Sequence, residues 1–535
     1  MSEAGRRGDA WWTLVSCMLL MLIAGTIYAF SEFSAVFKDT HGYNLDQTQV
    51  SLLALFASLG NYFVLDGGLV ISRVGPVVAL VCGATFATLG YIALWISVVQ
   101  FAGELPFGVL IFFCWLYGHG CGYIDSAVMT ELLQDFPGYR GNIVGCVKAF
   151  YGLATAIFAV AYEAIFAPTR SAFLCFIGLY SLTMGIIFIP VVRRNASFVA
   201  GHRSKILKKF DYLTVGLVVA AFFVLAVSIA GPSIEKMDHK AIVYVPVLLA
   251  MFVGISSLFL LTRGGNFLED GPISAQTVGN RDRDLEPAEG SEQPSESPPP
   301  VDMTGWSTLL KADFLLLLFV LIVSQGSGLL ILHEAGQIMP AVVGKDTNAV
   351  TGFVAMISCF NSLGRLSFGN GSELLLIRGV PRTLFLIAST VLLALVHFVL
   401  ALASSTGVLW VCGAVAGFAY GGLWGVQPVI VMELFGPTDY GFKYTCSAMA
   451  AGIGFLIFGT ALAGRLYDAK AQARGESPNC YSSECFSTSF AVTFFAGVPA
   501  AFAGIVLWRR TAPIYEEIRC ARLGQSSRTL ANLLT

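Results

Sequence analysis

Residues 11–32 read WWTLVSCMLLMLIAGTIYAFSE, an apolar run of about 22 residues in which Glu32 is the only charged side chain. An α-helix of about 20 residues spans the hydrocarbon core of a bilayer. Helices in lipid satisfy their own backbone hydrogen bonds, so repeated runs of this kind need no sheet. Similar runs recur along the chain. The sequence therefore predicts an all-α polytopic membrane protein.

The apolar runs fall into three groups, which together predict about fourteen spans. Six runs precede residue 200, two lie between residues 201 and 262, and six follow residue 312. The predicted spans are 11–32, 49–71, 77–99, 106–129, 143–167, 171–192, 213–231, 241–262, 313–333, 348–369, 380–403, 407–432, 444–466 and 489–508.

The composition excludes several classes of protein. Charged residues make up 12% of the 535 residues, whereas a soluble domain carries roughly a quarter. The mean hydropathy of +0.73 and the net charge of −2 argue against a soluble enzyme, a disordered scaffold and a nucleic-acid binder. No Walker loop, nucleophile elbow or zincin motif is present, so the sequence predicts neither an enzyme nor a cofactor.

The basic residues predict the orientation. Most of the 32 Lys and Arg side chains fall on one side if the N-terminus is cytoplasmic, which the positive-inside rule favours. Both termini are then cytoplasmic. The plasma membrane is the default location, with an endosomal or vacuolar membrane as the alternative.

An acidic, Pro-rich stretch separates the second and third groups of runs. It ends in Ser297-Pro298-Pro299-Pro300, cannot bury a core, and is interpreted as a disordered cytoplasmic linker. A spacer is the first interpretation, and a regulatory segment with phosphorylatable serines is the second. The predicted units are an N-terminal six-helix half (1–200), a two-helix hairpin (201–262), the linker (263–311), a C-terminal six-helix half (312–510) and a cytoplasmic tail (511–535).

Two of the 12 cysteines predict a disulfide bond. Cys480 and Cys485 share the loop 467–488, which the orientation places outside in an oxidising compartment. Cys520 falls on the cytoplasmic tail and is expected to be free.

The two six-span blocks resemble each other, and their motifs resemble a known family. Gly25, Gly60, Gly68 and Arg73 of the first block have counterparts in Gly326, Gly364, Gly369 and Arg378 of the second. The motifs that resemble the nodulin-like branch of the major facilitator superfamily are Gly83-Ala84, Gly90-Tyr91, Asp135-Phe136-Pro137, Arg140-Gly141, Val147-Lys148, Gly336-Gln337, Asn361 to Arg365, Glu433 to Gly436 and Cys480 to Phe486. The resemblance implies two six-helix halves around a central cavity, and a transport function.

The sequence departs from the family pattern at three places. Ser72 precedes Arg73 where the family has an Asp, so Asp66 is a candidate substitute for the lost acid. Asp125 stands where a neutral Asn is expected. His333-Glu334 replaces an amide pair. Titratable groups thus occupy two sites where the family has neutral hydrogen bonders.

Ionisable groups inside spans are costly and mark candidate functional sites. In the resembled fold, spans 1, 4, 9 and 12 line the cavity. The candidate substrate or coupling residues are Asp125, His333, Glu334, Tyr28, Gln427 and Trp424. The candidate gate or structural charges are Arg73, Asp66, Glu131, Arg140, Lys148, Arg365, Glu373 and Glu433, with Arg140 and Lys148 expected to pair with Glu131 or Asp135.

Cys114, Cys121 and Asp125 lie on one stripe of span 4, at spacings that repeat on one helix face. Thiol and carboxylate ligands there could bind a transition metal transiently. The alternative is that the cysteines pack and that Asp125 is a cavity acid or pairs with Lys148.

Three functions stay open from the sequence. The first is a secondary transporter of a small monocarboxylate-like organic anion by alternating access, with protons as the candidate coupling ion. The second is a transition-metal transporter or exporter, with iron as the example. The third is a non-transporting membrane sensor or scaffold. The expected partners are the lipid bilayer and a small solute or metal ion, and no nucleic acid.

Overall fold

The computed structural model describes residues 10–30, 33, 35–38, 43–45, 47–166, 169–194, 203–234, 302–344, 350–402, 405–476 and 480–523. These residues form helices joined by turns, which confirms the predicted all-α class. Eleven of the described helical stretches are long and apolar enough to cross a membrane.

The described residues of the first half form seven α-helices. They are α1 (Ala10–Gly25), α2 (Gln47–Tyr62), α3 (Leu65–Val74), α4 (Pro76–Gln100), α5 (Phe107–Asp135), α6 (Arg140–Ala161) and α7 (Arg170–Arg194). Helices α2 and α3 share one candidate span, which is interrupted at Phe63 and Val64. Helix α8 (Arg203–Ile234) follows and packs against α6 and α10. The second predicted helix of the hairpin, 241–262, lies outside the described residues.

The second half repeats the arrangement. Its helices are α9 (Ala312–Val343), α10 (Val350–Leu376), α11 (Arg382–Leu402), α12 (Thr406–Phe435), α13 (Tyr440–Phe455), α14 (Arg465–Ala473) and α15 (Glu484–Arg522). A π-helix, Leu456–Gly464, joins α13 to α14 within one candidate span. Helices α6 and α10, which carry Lys148 and Arg365, bring the number of long helical stretches to six in each half.

The turn between α3 and α4 shows how the sequence ends a helix. Gly75 has a φ of +111°, a conformation that favours glycine, and its backbone N–H bonds to the carbonyls of Val70 and Ile71. Pro76 then begins α4, where its missing N–H is not needed. Short turns of this kind hold neighbouring spans antiparallel.

The prediction that residues 263–311 are disordered throughout is wrong for its final part. Residues Gly305–Leu310 form a 3-10 helix, and the N–H of Met303 donates to the carbonyl of Phe435. Asp302 accepts a hydrogen bond from the N–H of Thr438 at 3.2 Å. The segment attaches because the end of α12 has carbonyls and turn groups that need partners. The rest of the linker lies outside the described residues.

The predicted tail also begins too early. Helix α15 continues to Arg522, so residues 511–522 extend the last span. The extension is amphipathic enough to pack: Tyr515 and Cys520 are buried, and Cys520 is a free thiol. Because this segment contains several charged residues, its hydropathy did not predict a continuation of the helix.

The two halves meet along α6 with α10 and along α3 with α13. A Cβ on Gly369 would lie 2.7 Å from the carbonyl oxygen of Gly141, so the backbones touch there. A Cβ on Gly68 would lie 2.9 Å from the carbonyl oxygen of Gly441. Small residues allow this close approach in membranes. We call the end of the bundle that carries Gly141, Glu373, Arg382 and Glu433 the Glu373 end.

Candidate functional site

A buried ion pair lies where the two halves meet. Lys148 on α6 donates to both carboxylate oxygens of Asp125 on α5, at 2.5 and 2.7 Å. Lys148 Nζ also donates to the Tyr444 hydroxyl at 2.8 Å, and that hydroxyl donates to Asp125 Oδ2 at 2.9 Å. Tyr444 belongs to α13, so the triad joins the two halves. Lys148 is 1% exposed.

Aromatic rings enclose the ammonium group of Lys148. Its Nζ lies 5.1 Å from the ring centroid of Trp424, 5.4 Å from that of Tyr444 and 5.6 Å from that of Tyr151. Ring faces attract cations, most strongly when water is excluded. Tyr28 packs edge-on against Tyr151, with centroids 5.5 Å apart. The structure therefore brings Tyr28, Trp424 and Asp125 to one place.

Arg365 on α10 adds a second cation beside the triad. Its Nε donates to Asn361 Oδ1 at 2.9 Å, and its Nη1 donates to the backbone carbonyl of Lys148 at 3.3 Å. Its guanidinium lies 5.1 Å from the Tyr151 ring centroid. Arg365 is 1% exposed, and it forms no ion pair within 4 Å with a carboxylate among the described residues.

The site thus contains one more positive than negative charge. Asp125 compensates Lys148, whereas the hydrogen-bond partners of Arg365 are neutral oxygens. A buried charge without a counter-ion is costly in a low dielectric. Such an arrangement favours binding of an anion, which would supply the missing negative charge.

A neutral hydrogen-bond network lies in the second half. Gln427 on α12 accepts from Gln325 on α9 at 2.6 Å and donates to Ser447 on α13 at 2.9 Å. Both amides are fully buried. Gln427 therefore ties three helices together, and the described contacts do not include one between it and Lys148.

A separate charge network occupies the Glu373 end. Arg382 donates to Glu373 at 2.6 Å and to Glu433 at 2.8 and 3.1 Å, and Arg522 at the end of α15 pairs with both carboxylates. The N–H of Gly141 on α6 donates to Glu373 at 2.7 Å, so this network also crosses between the halves. Two arginines face two glutamates, and the charges balance.

The first half has no matching network among its described residues. The expected pair of Lys148 with Glu131 or Asp135 is corrected: Lys148 instead pairs with Asp125, about two to three turns further from the Glu373 end. Arg140 Nε donates to the Leu133 carbonyl at 3.4 Å. Glu131 and Asp135 are 8% and 9% exposed.

The predicted metal stripe is not assembled. Asp125 is held by Lys148 and Tyr444, while Cys121 Sγ donates to the Ile23 carbonyl at 3.4 Å and lies 3.7 Å from the Thr26 hydroxyl. Cys114 is fully buried. The part of the chain that the structure describes contains no group of three or more His, Cys, Asp or Glu side chains placed to hold a metal ion.

The other sequence candidates lie elsewhere. His333 and Glu334 are half-buried on α9, and the His333 ring packs 4.8 Å from that of Phe455. Arg73 is exposed at the end of α3. Asp66 does not replace the acid lost at Ser72, because it bonds to His119 and Tyr123 on α5. Cys480 and Cys485 are joined by a disulfide bond.

Sequence reasoning missed Tyr444, Tyr151, Arg382 and Arg522. A Tyr within an apolar span carries no charge signal, so Tyr444 and Tyr151 could not be distinguished from packing aromatics. Arg382 follows Pro381 in a loop that is predicted to be cytoplasmic, so its sequence context did not distinguish it from the other basic residues of such loops. Its full burial is a tertiary property.

The chain is similar in sequence to known protein families. A family model described as Nodulin-like matches residues 10–256, and one described as NFD4, C-terminal domain, matches residues 302–516. Protein NUCLEAR FUSION DEFECTIVE 4 of Arabidopsis thaliana is 21% identical, over 97% of this chain and 92% of that protein. Probable transporter MCH1 of Wickerhamomyces anomalus is 23% identical, over 88% of this chain and 82% of that protein.

The fold has a counterpart among solved structures. The proton:xylose symporter XylE bound to 6-bromo-6-deoxy-D-glucose, a major facilitator superfamily protein, matches with a TM-score of 0.57 and 12% identity. The match covers 92% of this chain and 94% of that chain. This likeness concerns the fold and agrees with two six-helix halves. Because the two family models together cover both halves, the chain belongs to the nodulin-like family, and it has the major facilitator fold.

Proposed function

We propose that the protein is a secondary transporter that moves a small organic anion of the monocarboxylate type by alternating access. The observation that carries the proposal is the buried guanidinium of Arg365, whose hydrogen-bond partners are neutral. An anionic carboxylate would neutralise this charge and accept paired hydrogen bonds from the guanidinium fork. The curated relative named a probable transporter supports the transport class.

The position of the site suits alternating access. In such folds two halves rock around a site near the midplane, and Lys148, Arg365 and Tyr444 sit where α6, α10 and α13 meet. Lys148 bonds to Tyr444 and Arg365 bonds to the Lys148 carbonyl, and each of these contacts crosses between the halves. An anion bridging Lys148 and Arg365 would therefore make different contacts in the two states of the transporter.

The Asp125–Lys148 pair gives the site a way to adjust its charge. While Lys148 is paired with Asp125, only Arg365 is available to balance an anion. If a proton neutralises Asp125, Lys148 gains the freedom to bind the same anion. We propose the proton as the coupling ion for this reason.

The orientation is part of the proposal. The positive-inside rule places the Glu373 end in the cytoplasm, together with Arg378, Arg382, Arg519 and Arg522. The halves are in contact at that end through Gly141 and Glu373. We propose the plasma membrane as the location, with an endosomal or vacuolar membrane as the alternative.

Uptake into proteoliposomes tests the function. Purified protein is expected to take up radiolabelled L-lactate in a saturable manner, whereas the neutral sugar xylose and ferrous iron are not taken up. Arg365→Gln should lower lactate uptake tenfold or more, because a charge-assisted hydrogen bond contributes about 1.5–3 kcal/mol. Arg365→Lys retains the charge but loses the fork, and an intermediate loss is expected.

A matched arginine provides the control. Arg510 is exposed and pairs with Asp313 at the surface, so Arg510→Gln should leave lactate uptake unchanged. Protein-dependent iron uptake with no lactate uptake would overturn the organic-anion proposal in favour of a metal substrate. Equal lactate uptake by wild type and Arg365→Gln would remove Arg365 from the substrate site.

A further inference from the structure

A second polar cluster lies within the first half, away from the site between the halves. Asp66 on α3 accepts hydrogen bonds through Oδ2 from the Tyr123 hydroxyl, at 2.8 Å, and lies 2.9 Å from His119 Nε2. His119 Nδ1 lies 3.2 Å from the Gly60 carbonyl oxygen. None of these contacts serves the anion site proposed above.

The helix beside the cluster is interrupted. The candidate span formed by α2 and α3 is interrupted at Phe63 and Val64, and Asp66 lies in the first turn of α3. A carboxylate is stabilised at a helix N-terminus by the positive end of the helix dipole. Interrupted helices in transporters commonly carry ion sites. The Asp66 side chain is 57% exposed within this candidate span.

His119 is held rigidly beside Asp66. Its ring stacks on Trp115, with centroids 4.5 Å apart and planes 20° apart, and Phe86 and Tyr123 pack around it. Its side chain is 5% exposed. The imidazole therefore cannot turn away from the carboxylate without disrupting this packing.

The geometry constrains where protons lie. A carbonyl oxygen accepts hydrogen bonds and cannot donate, so the contact with Gly60 requires a proton on His119 Nδ1. The contact between Nε2 and Asp66 then needs one further proton, on either the imidazole or the carboxyl group. Loss of that proton would leave one imidazole proton for two contacts, so a nitrogen lone pair would face either the Gly60 carbonyl or the Asp66 carboxylate, and both arrangements are repulsive. The pair therefore favours the state that has bound one proton.

Few other titratable groups face the pair. Besides His119, helix α5 contributes one titratable group, the Tyr123 hydroxyl, which donates a hydrogen bond to Asp66. On α4 the Cys82 thiol lies near enough to interact electrostatically with Tyr123. Among the described residues, no Lys or Arg side chain forms an ion pair with Asp66, and His119 is its one basic partner within 4 Å.

Helix α3 also connects this pair to the contact between the halves. Gly67 lies against the ring of Tyr123, and the next residue, Gly68, touches Phe442 and Thr445 on α13 of the other half. A change in the separation of α3 and α13 would thus act on the helix that carries Asp66. Proton binding and closure of the halves share one structural element.

From this geometry we propose that Asp66 and His119 form a proton-binding site, separate from the anion site, that couples transport to a proton gradient. The bound ligand is a single proton shared between Asp66 Oδ2 and His119 Nε2. The coupling role rests on the proposed transport function, whereas proton binding by the pair does not.

Fluorescence of Trp115 tests proton binding without any substrate. An imidazolium stacked on an indole quenches it, so the fluorescence of purified wild-type protein minus that of Trp115→Phe should rise with pH in a one-proton transition. Asp66→Asn should lower the midpoint by at least one pH unit, a tenfold loss of proton affinity, because the carboxylate stabilises the imidazolium. His119→Gln should abolish the transition.

Two further variants keep this test informative. His397→Gln removes another buried histidine, on α11, and should leave the transition unchanged. Asp66→Glu retains the charge and should keep the transition if Asp66→Asn fails to fold. Absence of a Trp115-dependent transition, or a midpoint unmoved by Asp66→Asn in folded protein, would overturn the proton site.

A gradient experiment tests coupling. In proteoliposomes with radiolabelled L-lactate as the probe, an inward proton gradient should raise wild-type uptake above that without a gradient. In Asp66→Asn and His119→Gln this ratio should fall at least twofold toward one, because Asp125 remains as the other proton-binding group, and in His397→Gln it should match wild type. A ratio that persists in both variants overturns the coupling role. Absence of lactate uptake with a normal Trp115 titration would contradict the proposed function and leave the proton site standing.

Discussion

At the scale of single residues, Asp125 shows how one acid changes a site. The resemblance to the family predicts a neutral residue at this position, whereas here the carboxylate binds Lys148 and Tyr444. The pair is buried, so each charge depends on the other. The ion pair is therefore expected to matter for stability as well as for transport.

Removing one partner of this pair should cost more than removing both. Asp125→Asn leaves Lys148 without a counter-ion, and the free energy of unfolding should fall by roughly 3–5 kcal/mol. The double variant Asp125→Asn/Lys148→Met should recover a large part of that loss. Thermal unfolding of purified protein in detergent measures both. Asp313→Asn breaks an exposed pair with Arg510, so its cost should stay below about 1 kcal/mol. Equal losses in the single and double variants would contradict the expected dependence of Lys148 on Asp125.

At the scale of helices, α6 and α10 form the seam between the halves. Asn142 Nδ2 donates to Asn370 Oδ1 at 3.0 Å, next to the close contact between Gly145 and Gly369. Glycines permit this approach, and the polar pair lies beside it at the Glu373 end. The seam must separate if that end opens during transport.

A cross-link across this seam should stop transport. The double variant Asn142→Cys/Asn370→Cys should form a disulfide under mild oxidation, and lactate uptake into proteoliposomes should then fall tenfold or more. A reductant should restore uptake. Each single variant, treated in the same way, controls for the protein's other cysteines. Full uptake by protein shown to be cross-linked would mean that the seam does not open.

The last helix contributes a charge to the network at the Glu373 end. Helix α15 carries Arg522 to Glu373 and Glu433, where Arg382 already lies between the two carboxylates. Arg382 is fully buried and Arg522 lies at the edge of the network. The two arginines should therefore contribute unequally.

Arg382→Met should lower the free energy of unfolding by roughly 3–5 kcal/mol, because it leaves Glu373 and Glu433 close together with one cation. Arg522→Gln should cost clearly less, since Arg382 continues to bind both carboxylates. Comparing the melting temperatures of the two purified variants with wild type measures this order. A larger loss in Arg522→Gln would show that α15 dominates the network.

At the scale of the whole molecule, the two halves contact each other independently of the chain that joins them. The contacts include Gly141 with Glu373, Asn142 with Asn370, Lys148 with Tyr444, and Tyr62 with Tyr420. The sequence predicts that most of 263–311 is a linker, and the end of that segment binds α12 through Met303.

Cutting the linker should therefore leave the transporter assembled. A protease site inserted after Ser291 should allow complete cleavage, and the two fragments should co-elute on size-exclusion chromatography and retain lactate uptake. Uncut protein with the same insertion is the control. Separation of the fragments would mean that the covalent link holds the halves together. Loss of a cellular response without loss of uptake would give the linker a signalling role in addition to transport.

The sequence by itself determined the helical class, the two-half organisation and the family. Hydropathy is additive along a span, so runs such as 11–32 identify helices without any knowledge of neighbours. The same reasoning failed at residues 302–310 and 511–522, because short or charged helices are stabilised by packing rather than by hydropathy.

The tertiary structure alone decided which charges meet. Lys148 and Tyr444 are 296 residues apart, and Glu373 and Arg522 are 149 residues apart, so no local spacing predicts either contact. Sequence reasoning selected Asp125, Lys148 and Arg365 because charges in spans are costly. It could not show that Asp125 neutralises Lys148 while Arg365 has neutral partners. Which charges neutralise each other depends on their distances in the folded protein.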